Sequence, residues 1–193
     1  EYTVVIDAGH GGIDGGTSAA DGTPEKTLNL QIAEKLRLML DAMGVKTVMT
    51  RSDDDSIHDP SATTIRQKKI SDIKNRLKII ENTDNAVFVS IHQNHFGDSK
   101  YHGTQVFYSK NDPGSKMLAE AVRAQIITNL QKDNTREAKQ SGTEIYLLYH
   151  ANVPAVMVEC GFLSNAEETA KLKDEGYQRE LAFLTALCVV EYL

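Results

Sequence analysis

The sequence has little of what would mark a disulfide-rich or strongly basic protein. It contains two cysteines, Cys160 and Cys188, and both lie in apolar stretches, so a disulfide framework is not what stabilises the fold. Basic residues number 21 against 27 acidic ones, which gives a net charge of −6. Nucleic acids and anionic membranes bind basic surfaces, so neither is an expected partner.

The sequence also has no leader peptide and no apolar run long enough to span a membrane. A strand-like segment starts directly after Glu1. We expect a leader or an anchor to precede this segment in the natural protein, so the start does not indicate a cytosolic location.

Length and composition predict one folded domain. A chain of 193 residues can bury roughly 70% of the surface that its unfolded form exposes, which is enough for an independent core. Apolar residues make up 40% and charged residues 25%, as in ordinary soluble proteins. Neither a repeat nor a linker-like tract divides the chain, so residues 1–193 are expected to form a single domain.

The order of apolar segments predicts an α/β fold. Short, nearly continuous apolar runs alternate with stretches in which apolar residues recur at helical spacing. This pattern is typical of a mostly parallel, twisted sheet of about six strands with helices on both faces. The polar segment 52–66 is predicted to be a mobile loop. Strands are predicted at residues 2–6, 45–49, 86–91, 105–108, 145–148 and 155–158, and helices near 25–43, 70–80, 113–130, 166–173 and 177–192.

Side chains that can bind a metal or transfer protons follow three of the predicted strands. His10 comes after the first strand, His92 after the third and Glu159 after the last. The carboxyl ends of parallel strands meet at one edge of the sheet, where α/β proteins bind their ligands. Glu25 reaches the same edge from the first turn of the helix that follows His10. We therefore expect these four side chains to converge.

Two imidazoles and a carboxylate are a ligand set that suits a catalytic zinc ion, which takes three protein ligands and leaves a fourth position for water. His10, Glu25 and His92 are the predicted ligands. Such an ion lowers the pKa of its water to about 7 and polarises a substrate carbonyl, while a nearby carboxylate moves a proton to the leaving group. Glu159 is predicted to be that carboxylate.

Each of these residues also has an ordinary structural interpretation. Alone, His10 could cap the next element, His92 could be a hydrogen-bonded core histidine, and Glu25 could be a helix N-terminal acid. Glu159 is harder to explain in this way, because burying a carboxylate without a partner or a purpose is costly. The four residues together favour a site.

Other candidate sites in the sequence are weaker. The acidic run 53–55 is typical of a solvated loop, and the glycine-rich stretch 9–16 fits neither the dinucleotide fingerprint nor the phosphate-binding P-loop. The remaining histidines do not lie directly at a strand end, so we rank them below His10 and His92 as ligands. They are His58, His95, His102 and His150.

Taken in order, the motifs of the chain resemble those of the zinc-dependent N-acetylmuramoyl-L-alanine amidases of the amidase-3 type. The resemblance covers nearly the whole chain. Its marks are Ile6-Asp7-Ala8-Gly9-His10-Gly11-Gly12 with Asp14 and Gly16, Glu25-Lys26 with the segment 28–32, Thr50-Arg51 with Asp53, Arg76, Ser90-Ile91-His92-Gln93-Asn94, Gly103, and the segment 154–165 with Glu159.

The resemblance implies hydrolysis of the amide bond between N-acetylmuramic acid and L-alanine in peptidoglycan. It assigns zinc binding to His10, Glu25 and His92, and the role of catalytic carboxylate to Glu159. It also makes residues 1–193 one catalytic amidase domain. The substrate implies an extracytoplasmic location, on the cell-wall or spore-cortex side of the membrane.

Within the family, the segments 66–82 and 94–108 are most similar to the germination-specific, CwlD-type amidases, which act on spore-cortex peptidoglycan in the muramic-lactam pathway. Some family members carry a long insertion after the second histidine, which forms a helix that blocks the zinc. Only eight residues separate Asn94 from Gly103 here, too few for such a plug. If the activity is regulated, we therefore expect a regulatory or activating partner protein, or weak metal occupancy.

One departure from the family pattern and two rival functions stay open. The family's arginine-glycine pair appears here as Arg136-Glu137, which puts a substrate role for Arg136 in doubt. A zinc deacetylase of wall sugars would use similar chemistry on a smaller acyl group. A non-catalytic peptidoglycan-binding module would keep the fold without turnover. The sequence makes no prediction of the oligomeric state.

Overall fold

The computed structural model describes residues 1–193 and contains six strands and six helices. The strands are β1 (Thr3–Ala8), β2 (Lys46–Met49), β3 (Ala86–Asn94), β4 (Gln105–Tyr108), β5 (Lys139–Gln140) and β6 (Ala155–Phe162). The helices are α1 (Glu25–Ala42), α2 (Ile65–Glu81), α3 (Pro113–Asn129), α4 (Tyr146–His150), α5 (Ala166–Lys173) and α6 (Glu175–Tyr192).

The six strands form one mostly parallel sheet, as predicted. Across the sheet they follow the order β2-β1-β3-β6-β4-β5. The first four of these run parallel to one another. β4 pairs antiparallel with β6, and β5 pairs parallel with β4. The central strands β1, β3 and β6 are almost fully buried, which agrees with their continuous apolar sequences.

Helices cover both faces of the sheet. Successive residues of a strand point to opposite faces, and accordingly Val4 belongs to one core cluster while Val5 belongs to the other. The larger cluster packs α1, α3 and α6 against one face, and the smaller cluster packs α2 and α4 against the other. The predicted α/β architecture with helices on both faces is confirmed.

The helices α1 and α2 begin in different ways. α2 begins with a capping box, in which the Thr64 side chain accepts a hydrogen bond from Gln67 N and the Gln67 side chain accepts one from Thr64 N. α1 begins at Glu25 behind Pro24 and has no side-chain cap. The helix dipole favours the negative charge of Glu25 in this first turn.

The structure corrects the prediction for residues 139–150. The predicted strand at 145–148 is wrong, because this segment belongs to α4, in which Leu147 and Leu148 are buried. A four-residue apolar run suits a buried strand and a buried helical turn equally, so periodicity does not distinguish them. The sixth strand is instead β5, a two-residue pairing with β4 that the sequence does not indicate.

The polar segment before α2 has no regular structure, in agreement with the prediction of a loop, but it is bound to α2. Ile57 N donates a hydrogen bond to Asp72 Oδ1 at 2.8 Å, and Asn75 Nδ2 donates one to the Ile57 carbonyl oxygen at 2.8 Å. These bonds anchor the middle of the loop.

Both cysteines are free thiols, and both are buried. Burial raises the pKa of Cys160 to about 12 and that of Cys188 to about 11. None of the six helices combines the length and the apolarity needed to cross a bilayer.

Candidate metal centre and catalytic site

His10, Glu25 and His92 form a compact group of potential metal ligands. One donor atom from each lies within 4.8 Å of the others. His10 Nε2 is 3.3 Å from Glu25 Oε2, and His92 Nδ1 is 3.0 Å from Glu25 Oε1. No other set of histidine, cysteine and acidic side chains in the chain is gathered in this way, so the four remaining histidines form no second group.

Glu159 lies beside this group because of the strand register. β3 and β6 pair in parallel with His92 opposite Glu159, and residues that pair across neighbouring strands point to the same face. Both residues were predicted to follow their strands, but they lie inside them. The reason is that β3 and β6 extend further than the apolar runs that indicate them. The predicted convergence of the side chains is nevertheless present.

His10 is oriented by the tight turn that follows β1. Its backbone has a φ of 64°, which is uncommon for a residue with a side chain. Asp14 Oδ2 lies 2.8 Å from His10 Nδ1, which leaves Nε2 directed at Glu25. A carboxylate on the far nitrogen is a common way to orient a ligand histidine. Burial lowers the pKa of His10, but its hydrogen bonds to Asp14 and Glu25 outweigh burial and raise it to about 9.

Two glycines leave the space that the potential ligands occupy. A Cβ on Gly9 would lie 2.3 Å from ring atoms of His92. A Cβ on Gly16 would lie 2.5 Å from Glu25 Oε2 and 2.7 Å from His10 Cδ2, and the φ of Gly16, 68°, also favours glycine. The glycine-rich stretch therefore permits close packing against the ligands, a role that the sequence reasoning missed.

Glu25 is held at both carboxylate oxygens. Oε2 accepts a hydrogen bond from Thr17 N at 3.0 Å, and Oε1 accepts from Gln93 N at 3.0 Å and from Asn29 Nδ2 at 3.3 Å. Burial raises the pKa of this carboxyl, but the hydrogen bonds and charges of the two histidines outweigh burial and hold the pKa well below its usual range. Glu25 therefore stays ionised.

A buried ion pair supports the backbone of the His10 turn. Arg76 of α2 is almost fully buried, and its Nη1 donates to Asp7 Oδ1 and to the Ala8 carbonyl oxygen, each at 2.7 Å. Its Nη2 donates to the His10 carbonyl oxygen at 2.6 Å. Burial raises the pKa of Asp7, but the charge of Arg76 leads the opposing effects, which lower it to about 2. The pair is therefore ionised on both sides.

A second arginine binds the same backbone. Arg51 Nε donates to the Ala8 carbonyl oxygen at 2.9 Å, and its Nη2 donates to the carbonyl oxygens of Gly9 at 3.1 Å and Lys26 at 2.8 Å. The carbonyl groups of three successive residues, 8 to 10, are thus bound by arginine side chains. In the sequence, Arg51 and Arg76 belong to the motifs that carry the family resemblance, but no role is predicted for them. The structure shows that both arginines hold the backbone of the His10 turn.

Glu159 is in the opposite electrostatic state to Glu25. Burial raises the pKa of its carboxyl, and the negative charge of Glu25 raises it further, to about 7. Arg136 and the Asn94 side chain act in the opposite direction without cancelling these effects. A carboxyl with this pKa exchanges protons near neutral pH, as general acid–base catalysis requires.

The loop between β3 and β4 contains no helix, as its length predicts. Its Tyr101 lies near Arg136, whose Cζ is 5.9 Å from the centroid of that ring and 4.6 Å from the centroid of the Phe162 ring. The structure therefore places Arg136 against β6, the strand of Glu159, although the altered motif around it had put a substrate role in doubt.

Residues 4–189 match the model of a family described as N-acetylmuramoyl-L-alanine amidase. The chain belongs to this amidase family. The germination-specific N-acetylmuramoyl-L-alanine amidase of Bacillus subtilis (strain 168) is 31% identical to it over 179 residues, which cover 93% of this chain and 74% of that protein. The amidase is thus a cell-wall hydrolase that cleaves the bond between N-acetylmuramoyl and L-alanine.

Solved amidase structures share the fold of this amidase. The CwlD amidase from Clostridioides difficile, in complex with the GerS lipoprotein, is 42% identical and superposes with a TM-score of 0.95, covering 100% of this chain and 98% of that chain. The catalytic domain of CwlV from Bacillus (Paenibacillus) polymyxa var. colistinus is 34% identical, with a TM-score of 0.82 over 100% of this chain and 98% of that chain. The predicted resemblance to the family and to its germination-specific members is confirmed.

Proposed function

We propose that this amidase is a zinc enzyme in which His10, Glu25 and His92 bind the metal and Glu159 transfers protons. The proposal rests on the register of β3 and β6, which sets Glu159 across from His92, beside three donor atoms within 4.8 Å of one another. We further propose that the peptidoglycan it cleaves is that of the spore cortex.

The three residues fit zinc by the chemistry of their donor atoms. Two imidazole nitrogens and one carboxylate oxygen leave a fourth position open in a tetrahedral site, as in catalytic and not structural zinc sites. Hydrogen bonds hold both oxygens of Glu25, as they do in an oriented carboxylate ligand. Asp14 orients His10 in the same way.

A cysteine nucleophile is not available as an alternative to the metal. Cys160 directly follows Glu159 in β6, but its side chain is buried. Burial raises the pKa of this thiol to about 12, and only the thiolate is an effective nucleophile. This leaves metal-assisted hydrolysis with a carboxylate base as the chemistry that the site supports.

When bound, zinc supplies a Lewis acid that polarises the scissile carbonyl and acidifies the attacking water. Glu159 accepts a proton from that water and passes it to the leaving nitrogen of L-alanine. In the metal-free protein, burial and the charge of Glu25 raise the pKa of Glu159 to about 7, so this carboxyl takes up a proton more readily than an exposed one, as both steps need. Asp14, Arg51 and Arg76 position the ligands and take no part in the proton transfer.

Two relatives support the spore cortex as the substrate and a location outside the cytoplasmic membrane. One is the Bacillus subtilis amidase named as germination-specific, and the other is the Clostridioides difficile CwlD amidase. The latter is in complex with a lipoprotein, which supports a partner protein for this amidase as well. We propose that residues 1–193 act as a single catalytic domain on the outer side of the membrane.

Metal analysis combined with product analysis tests this function. The wild type and His92→Ala are stripped with a chelator, reloaded with zinc and given spore-cortex peptidoglycan. We expect stoichiometric zinc in the wild type, little in His92→Ala, and new amino-terminal L-alanine only with the zinc-loaded wild type. His150→Ala is the control, because His150 is an exposed histidine outside the ligand group.

The same assay separates the alternatives. Release of acetate without new amino-terminal L-alanine would identify a deacetylase, and binding of peptidoglycan without either product would identify a non-catalytic module. Equal zinc content in His92→Ala and the wild type would show that the ligand assignment is wrong.

A further inference from the structure

One arginine at the edge of the site has no acidic partner. Arg136 lies with its Cζ 4.6 Å from the ring centroid of Phe162 and 5.9 Å from that of Tyr101. Its Nε donates to the His102 carbonyl oxygen at 3.1 Å. Its terminal nitrogens Nη1 and Nη2 have no acceptor in the protein, so the outer edge of the guanidinium is free to bind a ligand.

The backbone on both sides of this guanidinium is fixed. Arg136 N donates to Asn134 Oδ1 at 3.0 Å, and Arg123 Nε donates to the Arg136 carbonyl oxygen at 2.7 Å. Gln105 Nε2 donates to the Glu137 carbonyl oxygen at 2.7 Å. With two aromatic rings beside the side chain as well, the guanidinium is preorganised, and preorganisation lowers the entropic cost of binding a ligand.

Two features place the guanidinium beside the catalytic groups. Phe162, on which it stacks, belongs to the same strand as Glu159. Gln105, which binds the residue next to Arg136, is the register partner of Glu159 in β4. Arg136 therefore stands at the rim of the site, within reach of a substrate bound there.

The charges around the site make an unpaired cation important for an anionic substrate. Ionised Glu159 would repel a negatively charged peptide, and the nearby arginines Arg51 and Arg76 are committed to backbone carbonyls and acidic side chains. Like-charge contacts suppress binding, whereas one complementary charge restores it and selects the partner. Arg136 is the arginine beside Glu159 whose terminal nitrogens are free for this purpose.

We propose that Arg136 binds a free carboxylate of the stem peptide on the leaving-group side of the amide bond. This inference rests on the proposed function, which determines the molecule that occupies the site. In peptidoglycan the residue after L-alanine is D-glutamate joined through its γ-carboxyl, so its α-carboxylate is free unless it is amidated. A planar guanidinium with both terminal nitrogens free matches a carboxylate in a two-point hydrogen-bonded pair. Arg136 is thus a specificity-determining residue.

Two synthetic substrates that differ in one group test the proposal. Both are disaccharide dipeptides of N-acetylglucosamine, N-acetylmuramic acid, L-alanine and γ-linked D-glutamate, one with a free α-carboxylate and the other with an α-carboxamide. We expect the wild type to prefer the carboxylate by about 10–100-fold in kcat/KM, because a charge-assisted pair is lost with the amide. The preference should appear mainly in KM.

Variants of Arg136 and of the neighbouring Lys100 show which side chain causes the preference for the carboxylate substrate. Arg136→Gln should lose activity on the carboxylate substrate alone, and Arg136→Lys should recover part of it, since lysine keeps the charge but not the planar fork. Lys100→Gln is the matched control: Lys100 Nζ also lies over the Tyr101 ring, at 5.5 Å, but it is paired with Asp98 at 2.9 Å. This control should keep the wild-type preference.

Two outcomes would overturn the role of Arg136. They are equal kcat/KM of the wild type on the two substrates, and an equal loss on both substrates in Arg136→Gln. The proposed function fails by a separate result, namely wild-type activity of Glu159→Gln on the carboxylate substrate.

Discussion

Asp7 and Glu159 are acidic residues of one parallel sheet, and their surroundings differ sharply. Asp7 in β1 is fully buried and accepts hydrogen bonds from Arg76, Thr50 and Ser90. Burial raises the pKa of its carboxyl, but these partners outweigh burial and lower it to about 2. Burial also raises the pKa of Glu159 in β6. The groups that oppose this rise are weaker there, and the pKa is about 7.

The same contrast divides the whole site. Its ligand side, made of His10, Glu25 and His92, is held by buried arginines, backbone amides and an orienting carboxylate. Its base side, made of Glu159 and Arg136, contains no salt bridge: the two side chains act on each other electrostatically without forming an ion pair. Charges that maintain the fold are paired internally, whereas charges that act on substrate are left to find their partners there.

Glu159→Gln should give the largest effect, because it removes the reactive group of the base side and leaves the ligand side intact. We expect kcat to fall by about 10²–10⁴-fold, the usual contribution of a general acid–base group, at unchanged zinc content. Glu137→Gln, at an exposed position nearby, should stay near the wild type. A loss below about tenfold in Glu159→Gln, about 1.4 kcal/mol, would contradict its role.

Arg76→Met tests whether the ligand side depends on its buried ion pair. It leaves the charge of Asp7 buried without its cation, and such a loss typically costs about 3–5 kcal/mol of unfolding free energy. Arg37→Met breaks the exposed pair with Asp41 and should cost less than about 1 kcal/mol. Urea unfolding measures both values. If the two losses were equal, the buried pair would not be the support that we describe.

Gly9→Ala and Gly15→Ala separate close packing at the ligands from a general need for glycine. A Cβ on Gly9 meets the His92 ring at 2.3 Å, whereas one on Gly15 finds its nearest atom, in Pro24, at 3.8 Å. Because metal ligands must be held to within about 0.5 Å, we expect zinc affinity to fall about tenfold or more in Gly9→Ala only. Competition with a chromogenic chelator gives both affinities, and equal values would refute this explanation.

The pH dependence of stability should have opposite signs for the two acids. Glu159 has a raised pKa, about 7 against 4.5, so its contribution is present below pH 4.5 and is lost as the pH rises through 7. Asp7 has a lowered pKa, about 2 against 3.8, so its contribution is present above pH 3.8 and is lost as the pH falls through 2.

Urea unfolding of the metal-free protein measures this difference. Relative to Glu159→Gln, the wild type should lose on the order of 1–2 kcal/mol between pH 4.5 and 8, a value reduced from the full shift because Glu159 is partly exposed. Asp7→Asn should be less stable than the wild type at neutral pH, and the two free energies of unfolding should approach each other only at the acid end of the pH range. Parallel pH curves for the wild type and Glu159→Gln would rule out this account of Glu159.

Much of the fold follows from sequence patterns, and the failures have physical causes. The continuous apolar runs of β1, β3 and β6 indicate buried parallel strands, and the residues that follow them indicate the site. The run at 145–148 is too short to distinguish strand from helix. The antiparallel direction of β4 depends on its pairing with β6, which no local pattern records.

The support of the site was the least predictable part. Arg76 lies in a helix with many polar residues, and its partner Asp7 is 69 positions away in the chain, so no local spacing connects them. The spaces that Gly9 and Gly16 provide depend on where His92 and Glu25 come to lie. In contrast, His10 and His92 were recognisable because the chemistry of a ligand is visible in the residue itself.

The pairing of β3 with β6 has a consequence for engineering. His92 and Glu159 are distant in the chain, but backbone hydrogen bonds between neighbouring strands set their separation in space. The loop between β3 and β4 lies between them in sequence and does not have to keep its length for the two groups to stay aligned, because longer surface loops cost little free energy. New sequence can therefore be inserted into that loop, as a lid or an affinity tag. The pairing of β3 with β6 would still keep His92 aligned with Glu159.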